Sequence, residues 1–279
     1  MQYNDSILFF LIASVNLQSE TTYSTILEKA MEGKNMRVLV IPDCHLKPWM
    51  FLHAAEIMRD GKADRAVCLM DLPDDFGQDD MKLYMDTYDA AINFAKGFPE
   101  TLWCYGNHDL SYVWGKPESG YHPWFRELVY GKIEDLKKAL PKKRQLAYIH
   151  KIDKVLFMHG GLTQSFVRLS VTRTHQNRIT SVIKEINEMG SGFMWGDGSP
   201  IWYRPQFAPD DNVERLYRGG EYLQVVGHTP VKDVVFEGGV LSCDTFSTYR
   251  DGRPYGSEKF CIVDTQTKTY ETVAGRKAN

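Results

Sequence analysis

Arg37-Val38-Leu39-Val40-Ile41-Pro42-Asp43-Cys44-His45 sets the reading of the whole chain. Val38 to Ile41 is a continuous, mostly β-branched apolar run, as expected of a strand covered on both faces. Pro42 and the Asp-Cys-His turn end it. The pattern returns twice downstream: residues 66–70 run into Asp71, and residues 101–105 run into Gly106-Asn107-His108-Asp109. Between these runs, residues 50–58 and 81–96 carry amphipathic helical spacing, stopped by Asp60-Gly61 and by Gly97 with Pro99. Strand, helix, strand, helix, strand implies right-handed crossovers and a parallel sheet. Ligands of such sheets gather beyond the C-terminal ends of the strands, where each polar motif falls.

The second half changes character. Residues 112–121 read as a Gly/Pro/aromatic loop, 124–140 as mostly helix, and 146–149 and 154–158 as strands around a turn at Ile152-Asp153. A helix is expected over 171–189 and a glycine-rich loop over 190–198. After Gln224-Val225-Val226 the chain is β-rich, with 234–236, a Gly238-Gly239 turn, 240–243, 259–263 and 267–273 spaced as antiparallel hairpins. The expected class is α/β: a two-sheet βαβ sandwich, parallel early and antiparallel late, flanked by helices, in a single domain over residues 36–279.

A length of 279 residues at 43% hydrophobic suits one large domain. A net charge of −3 leaves no basic surface for duplex nucleic acid. The run from Lys137 to Arg144 reads as a solvated helix end and loop, with phosphate attraction the lesser reading. The five cysteines show no CxxC pair, which points to a reducing, cytoplasmic setting. Cys44 reads as a small residue on a tight turn, its thiol inward; a soft metal ligand is the alternative. The apolar run at residues 7–15 is too short to span a bilayer, and no Lys or Arg precedes it as a secretory signal requires. Two readings stand for residues 1–35: an over-extended start, with the natural chain beginning at Met36, or an N-terminal helix packed on the domain. The first rests on Glu32-Gly33-Lys34, which implies purine-rich codons able to serve as a ribosome-binding site, and the two readings stand level.

Five motifs end apolar runs: Asp43-Cys44-His45, Asp71-Leu72-Pro73-Asp74, Gly106-Asn107-His108-Asp109, His159-Gly160-Gly161 and Gly227-His228-Thr229. Together they supply Asp, His, Asp, Asn, His and His, a set suited to two adjacent divalent cations, with one His left for proton transfer. Their order and residue types resemble the calcineurin-like metallophosphoesterases over residues 37–273. Within that superfamily the chain is most similar to the phosphoprotein phosphatase branch, through His159-Gly160-Gly161-Leu162 and Gly227-His228-Thr229-Pro230.

Two metals about 3.5–4 Å apart acidify a bridging water and clamp phosphoryl oxygens for in-line displacement. Cations that close need a bridging anion, and Asp71 is the candidate. Asp43 and His45 would share the first metal with it. Asn107, His159 and His228 would complete the second, the division that the resemblance implies. The mixed N/O set suits Mn first, then Fe, Zn or Ni; imidazole is a poor ligand for Mg. His108 is expected to act as general acid, with Asp109 fixing its ring, the alternative being a loop pair kept for stability alone. Arg204, in Ile201-Trp202-Tyr203-Arg204-Pro205, resembles a segment that supplies a phosphate-binding arginine. A salt bridge to Asp210 or Asp211 is its plain alternative.

The chain departs from the branch at several points. Pro42 and Leu46 stand where the first motif has Gly, and Met70 where the second does. Asp75 replaces the phosphate-binding Arg, which puts ordinary phosphoprotein recognition in doubt unless that acid is turned away or paired. Asp109 stands for the usual Glu, and Pro230 for a second metal-binding His of nuclease-like branches. The leading expectation is a two-metal hydrolase of phosphomonoesters, phosphoserine and phosphothreonine proteins among them, that takes a phosphorylated substrate and no membrane. The alternative is a dinucleoside polyphosphate hydrolase, with Trp49, Tyr112, Trp114, Trp195 or Trp202 stacking a base. A docking module on the same fold is a third reading, disfavoured by the complete ligand set.

Overall fold

The structure, a computed structural model, describes residues 35–207 and 215–275. The two readings of the N-terminal extension lie outside these residues, as do Asp210 and Asp211. In chain order come β1 (Arg37–Ile41), α1 (Trp49–Arg59), β2 (Arg65–Cys68), α2 (Met81–Gly97), β3 (Leu102–Cys104), α3 (Asn107–Trp114) and α4 (Arg126–Ala139). Then follow β4 (Leu146–Ala147), β5 (Ile149–Ile152), β6 (Val155–Met158), α5 (Gln164–Ser170), α6 (Ile179–Asn187) and the single turn α7 (Ser191–Met194). The chain continues with β7 (Leu223–Val226), β8 (Val235–Glu237), β9 (Val240–Ser242), β10 (Lys259–Asp264) and β11 (Tyr270–Ala274).

Two sheets form, in strand orders β11-β10-β1-β2-β3-β4 and β5-β6-β7-β9-β8. The first is parallel from β1 to β4, as the alternation of strands and helices implied. β10 and β11 extend it antiparallel past β1. The hairpin β8–β9 is antiparallel as expected, but β9 lies parallel to β7, so the second sheet is mixed.

The continuous apolar run of β1 has a direct cause. Val38 and Val40 pack between the sheets with Val67, Phe157, Val225 and Leu241. Leu39 and Ile41 face the other way, against α1, α2 and α4. All four are fully buried, at roughly 1.5–3 kcal/mol each. A third apolar cluster covers the outer face of the second sheet, under α5 and α6.

Three expected elements come out differently. The strand over 146–149 divides, because the chain crosses from one sheet to the other at Tyr148. There the Asn187 side-chain oxygen accepts from the amides of Tyr148 (3.1 Å) and Ile149 (2.9 Å). The helix over 171–189 shrinks to α6, and an earlier helix, α5, is capped by Thr163, whose hydroxyl accepts from the Phe166 amide at 3.0 Å. Between them Glu185 draws Thr172 and His175 into a turn. The loop over 112–121 starts later, since α3 runs on to Gly115, which closes it with φ 61°.

His150 on β5 donates from Nε2 to the Trp103 carbonyl on β3 (3.1 Å), tying one sheet to the other. Burial pushes this imidazole down from 6.5 to about 4. Between those values the unfolded chain binds a proton that the folded chain refuses, so stability falls as pH drops through this window. The full loss is about 3 kcal/mol. Urea melts of wild type and His150→Gln from pH 7 to 4 are expected to show a steeper acid decline in wild type; parallel declines would rule this out.

Candidate metal centre

The ends of β1 and β2 carry the first ligands. Beyond them the two segments stay zipped: the Cys44 amide donates to Met70 O (3.1 Å), His45 to Asp71 O (2.8 Å) and Leu46 to Leu72 O (3.0 Å). His45, Leu46, Met70, Asp71, Asp74 and His228 all have φ between 40° and 62°. Such left-handed backbone costs about 1–2 kcal/mol per residue and clusters where function demands it. Leu46 and Met70 stand where the resembled motifs have Gly. The conformation is kept, and both side chains are buried in the core under α1 and α2, which offsets its cost.

The carboxylates lie over glycines. A Cβ on Gly106 would come within 1.9 Å of Asp71 Oδ1, and one on Gly227 within 1.9 Å of Asp43 Oδ1. Asp43, His45 and Asp71 offer ligand atoms within 4.8 Å of one another, and so do Asp71, His159 and His228. Asp71 is common to both groups. Asn107 joins the second, its Oδ1 lying 3.0 Å from His159 Nε2.

The donor chemistry fits two cations. His45 Nδ1 donates to the Asp74 carbonyl (2.8 Å) and His159 Nδ1 to the Leu69 carbonyl (2.9 Å), which fixes both tautomers and turns Nε2 inward as the ligand nitrogen. Asp43 Oδ1 and His228 Nε2 are buried with no hydrogen-bond partner. Buried polar atoms of this kind call for a partner, and the ligand groups converge on where a cation would be. Burial, then the neighbouring Asp244, push the Asp43 carboxyl well up, against the pull of His159. Burial, then the charges of His159 and Arg204, hold His228 well below its ordinary value, so its ring is neutral.

A cleft of about 270 Å³ opens over this cluster. His108 lines it and gives its backbone amide to Asp71 Oδ1 (2.9 Å). Its ring is held by Asp74, not Asp109: His108 Nδ1 lies 2.9 Å from Asp74 Oδ2. Asp74 Oδ1 accepts in turn from Tyr84 (2.7 Å) and Tyr112 (2.6 Å). Burial works against a charged His108, but Asp71 and Asp74 outweigh it and lift the ring to about 9. Asp109 instead braces the backbone, accepting from the amides of Asp71 (2.9 Å), Gly106 (3.2 Å) and Leu72 (3.3 Å) and from Tyr88 (3.2 Å). Its carboxylate faces away from His108 because it closes the first turn of α3 on Gly106. Asp74 lay inside the second motif, so its spacing of three from Asp71 was the available signal.

Arg204 reaches the cleft and donates to the His228 carbonyl (2.7 Å) and Thr229 Oγ1 (3.2 Å). Asp75 is paired: Lys47 Nζ lies 2.9 Å from its Oδ2, and Thr248 donates to its other oxygen. Lys47 and Asp244 were not singled out in the sequence, and neither stands in a recognisable motif. Asp244 is buried in the cleft wall, its carboxylate engaged by Ser247 at 2.8 and 2.9 Å. Trp49, Tyr112, Trp114, Trp195 and Trp202 do not line this cleft, and Tyr112 is spent on Asp74. All five cysteines are free and buried, with the Cys44 thiol turned to the Pro42 carbonyl at 3.4 Å. Among the described residues no helix is long and apolar enough to cross a membrane.

The fold is similar to that of a cold-active protein-tyrosine phosphatase from a psychrophilic Shewanella species, at TM-score 0.52 and 17% identity over 85% of this chain and 80% of that one. A metallophosphoesterase from Sphaerobacter thermophilus aligns at TM-score 0.43 and 14% identity, over 87% and 90% of the two chains. No curated protein sequence matches the chain significantly. The sequence profile of the calcineurin-like phosphoesterases matches residues 36–250. That span takes in every motif residue from Asp43 to His228, and the chain belongs to the calcineurin-like phosphoesterases, a family of metal-dependent phosphoester hydrolases.

Proposed function

We propose that the protein is a two-metal phosphomonoesterase acting on phosphoserine and phosphothreonine side chains. The observation that carries it is the sharing of Asp71 by two ligand groups beside His108. Asp43, His45 and Asp71 would hold one cation; Asp71, Asn107, His159 and His228 the other. Bound there, two divalent cations, Mn by preference, acidify water and neutralise phosphoryl oxygens. Arg204 adds a guanidinium to the phosphoryl clamp. His108, its Nδ1 engaged by Asp74, has Nε2 left to protonate the departing alkoxide. Asp109 contributes by holding the Asp71 backbone rather than the proton donor.

Two further features favour an extended monoester over a dinucleoside polyphosphate. The cleft wall carries Glu118 and Asp244, and Asp75 paired with Lys47, so beyond Arg204 and His108 it offers no further cation to a highly anionic ligand. An adjoining cleft shares Asp75, Phe76 and Thr248 with the first, giving a longer chain a path across the surface. Free, buried thiols suit a reducing, cytoplasmic setting.

Hydrolysis of p-nitrophenyl phosphate with added Mn²⁺ is the direct test. Turnover that chelator removes and Mn²⁺ restores is expected; folded, Mn-loaded protein with no turnover of this or of a phosphoserine peptide would sink the proposal. His108→Asn adds a finer check. It is expected to lower kcat on phosphoserine peptides about 10²–10⁴-fold. The loss on p-nitrophenyl phosphate is expected to be much smaller, because nitrophenolate leaves without a proton. Equal losses on both would remove His108 from the general-acid role.

A further inference from the structure

A leaving group protonated by His108 emerges beside the loop after α3. Gly120 of that loop lies over the proton donor: a Cβ there would come 3.2 Å from Asp74 Cβ and 3.9 Å from His108 Cε1. Glu118, two residues earlier, is part of the cleft wall. The other wall carboxylates are engaged. Asp74 holds His108 and two tyrosines, Asp75 is neutralised by Lys47, and Asp244 is buried under Ser247. Glu118 makes no ion pair with any Lys or Arg among the described residues.

Its environment answers that charge only at a distance. Burial raises the Glu118 carboxyl, and Asp71 adds to this, while His108, the Ser119 amide and Arg204 pull the other way. A half-buried carboxylate beside a passage is stabilised by a cation brought in with the ligand. Across the same cleft stands Asp75, where the resembled branch has a phosphate-binding Arg; its pairing with Lys47 leaves no net positive charge there for an acidic flank.

Building on the phosphomonoesterase reading, we infer that Glu118 is a specificity residue that selects phosphopeptides with a basic residue next to the phosphorylated side chain. The phosphoryl group is gripped by the metal centre and Arg204. The flanking ammonium or guanidinium then lies against Glu118 as the peptide runs toward Asp75 and Phe76. Substrates with acidic flanks meet repulsion from the same carboxylate.

The test compares three phosphoserine peptides of equal length, flanked by Arg, Ala or Glu, on the Mn-loaded full chain. The expected order of kcat/KM is Arg, then Ala, then Glu, with an Arg-to-Glu ratio of about 10-fold or more at low salt, shrinking as salt screens it. Glu118→Gln is expected to bring that ratio near unity, and Glu118→Lys to reverse it. Glu118 sits on a loop, and thermal melting of both variants checks that they fold. Wild-type turnover without charge order, or the same ratio in folded variants, overturns the inference and leaves the phosphomonoesterase reading standing. Absence of turnover on all three peptides and on p-nitrophenyl phosphate overturns both.

Discussion

Asp71→Asn is expected to end hydrolysis and to uncouple the two cation sites. Asp71 is the carboxylate common to both ligand groups, with Oδ2 3.1 Å from His159 Nε2 and Oδ1 accepting from the His108 amide. A carboxamide keeps the shape and one acceptor, so the fold should survive. It lacks the second anionic oxygen that a bridge requires and presents an NH2 group in its place. The loss of several kcal/mol of transition-state charge stabilisation corresponds to about 10³-fold or more in kcat. Metal content should drop from two ions per chain to one or none. Mn²⁺ at a hundred times its Kd should raise wild-type stability by about 2.7 kcal/mol. In a chain of this size that is a rise of roughly 5–10 °C in Tm, absent in the variant. A folded Asp71→Asn protein that still binds two ions at wild-type affinity would remove Asp71 from the bridging position.

Much of this site was legible because its residues are tied to strand ends. β1 and β2 are apolar on both faces, so the polar residues following Ile41 and Met70 mark where each strand stops. Side chains that close across the cleft were harder to see. Asp74 was visible inside its motif, but nothing local says that it takes His108 while Asp109 turns to the Asp71 backbone; that choice depends on α3 beginning at Asn107. The Lys47–Asp75 pair joins residues 28 apart and answers the doubt raised by an acid in place of Arg. Asp244 reaches the centre from the strand end after β9, where Ser242-Cys243 gives no sign of a site. The misplaced helix over 171–189 has a similar origin. Residues 172–178 carry no apolar side chain and no Gly or Pro to mark a break, and the turn there is imposed by bonds from Thr172 and His175 to Glu185.

Gly227→Ala is expected to damage the metal centre almost as severely, although no ligand is altered. Gly227 does not need left-handed backbone, so its requirement is space. The added methyl would lie 1.9 Å from Asp43 Oδ1 and 2.9 Å from its Cγ, distances that force a shift. Asp43 is fully buried, and its other oxygen accepts the His228 amide at 2.8 Å, so the carboxylate cannot retreat without disturbing a ligand of the second group. Overpacking of this kind costs about 1–3 kcal/mol of stability, which a domain of this size tolerates. Displacing a supporting contact at a metal site lowers affinity about 10–100-fold. Here a ligand oxygen itself moves, so the upper end is expected for Mn²⁺ binding by calorimetry, with activity falling in step at limiting metal and partly recovering at high Mn²⁺. Gly220→Ala is the matched control, since a Cβ there meets nothing within 4 Å. Unchanged Mn²⁺ affinity in folded Gly227→Ala would mean that Asp43 can leave its place at no cost, which a true ligand cannot do. Gly106→Ala repeats the experiment on the bridge, where the clash is with Asp71 Oδ1. Because Asp71 serves both groups, this variant should lose both ions together, whereas Gly227→Ala should loosen the first ion before the second.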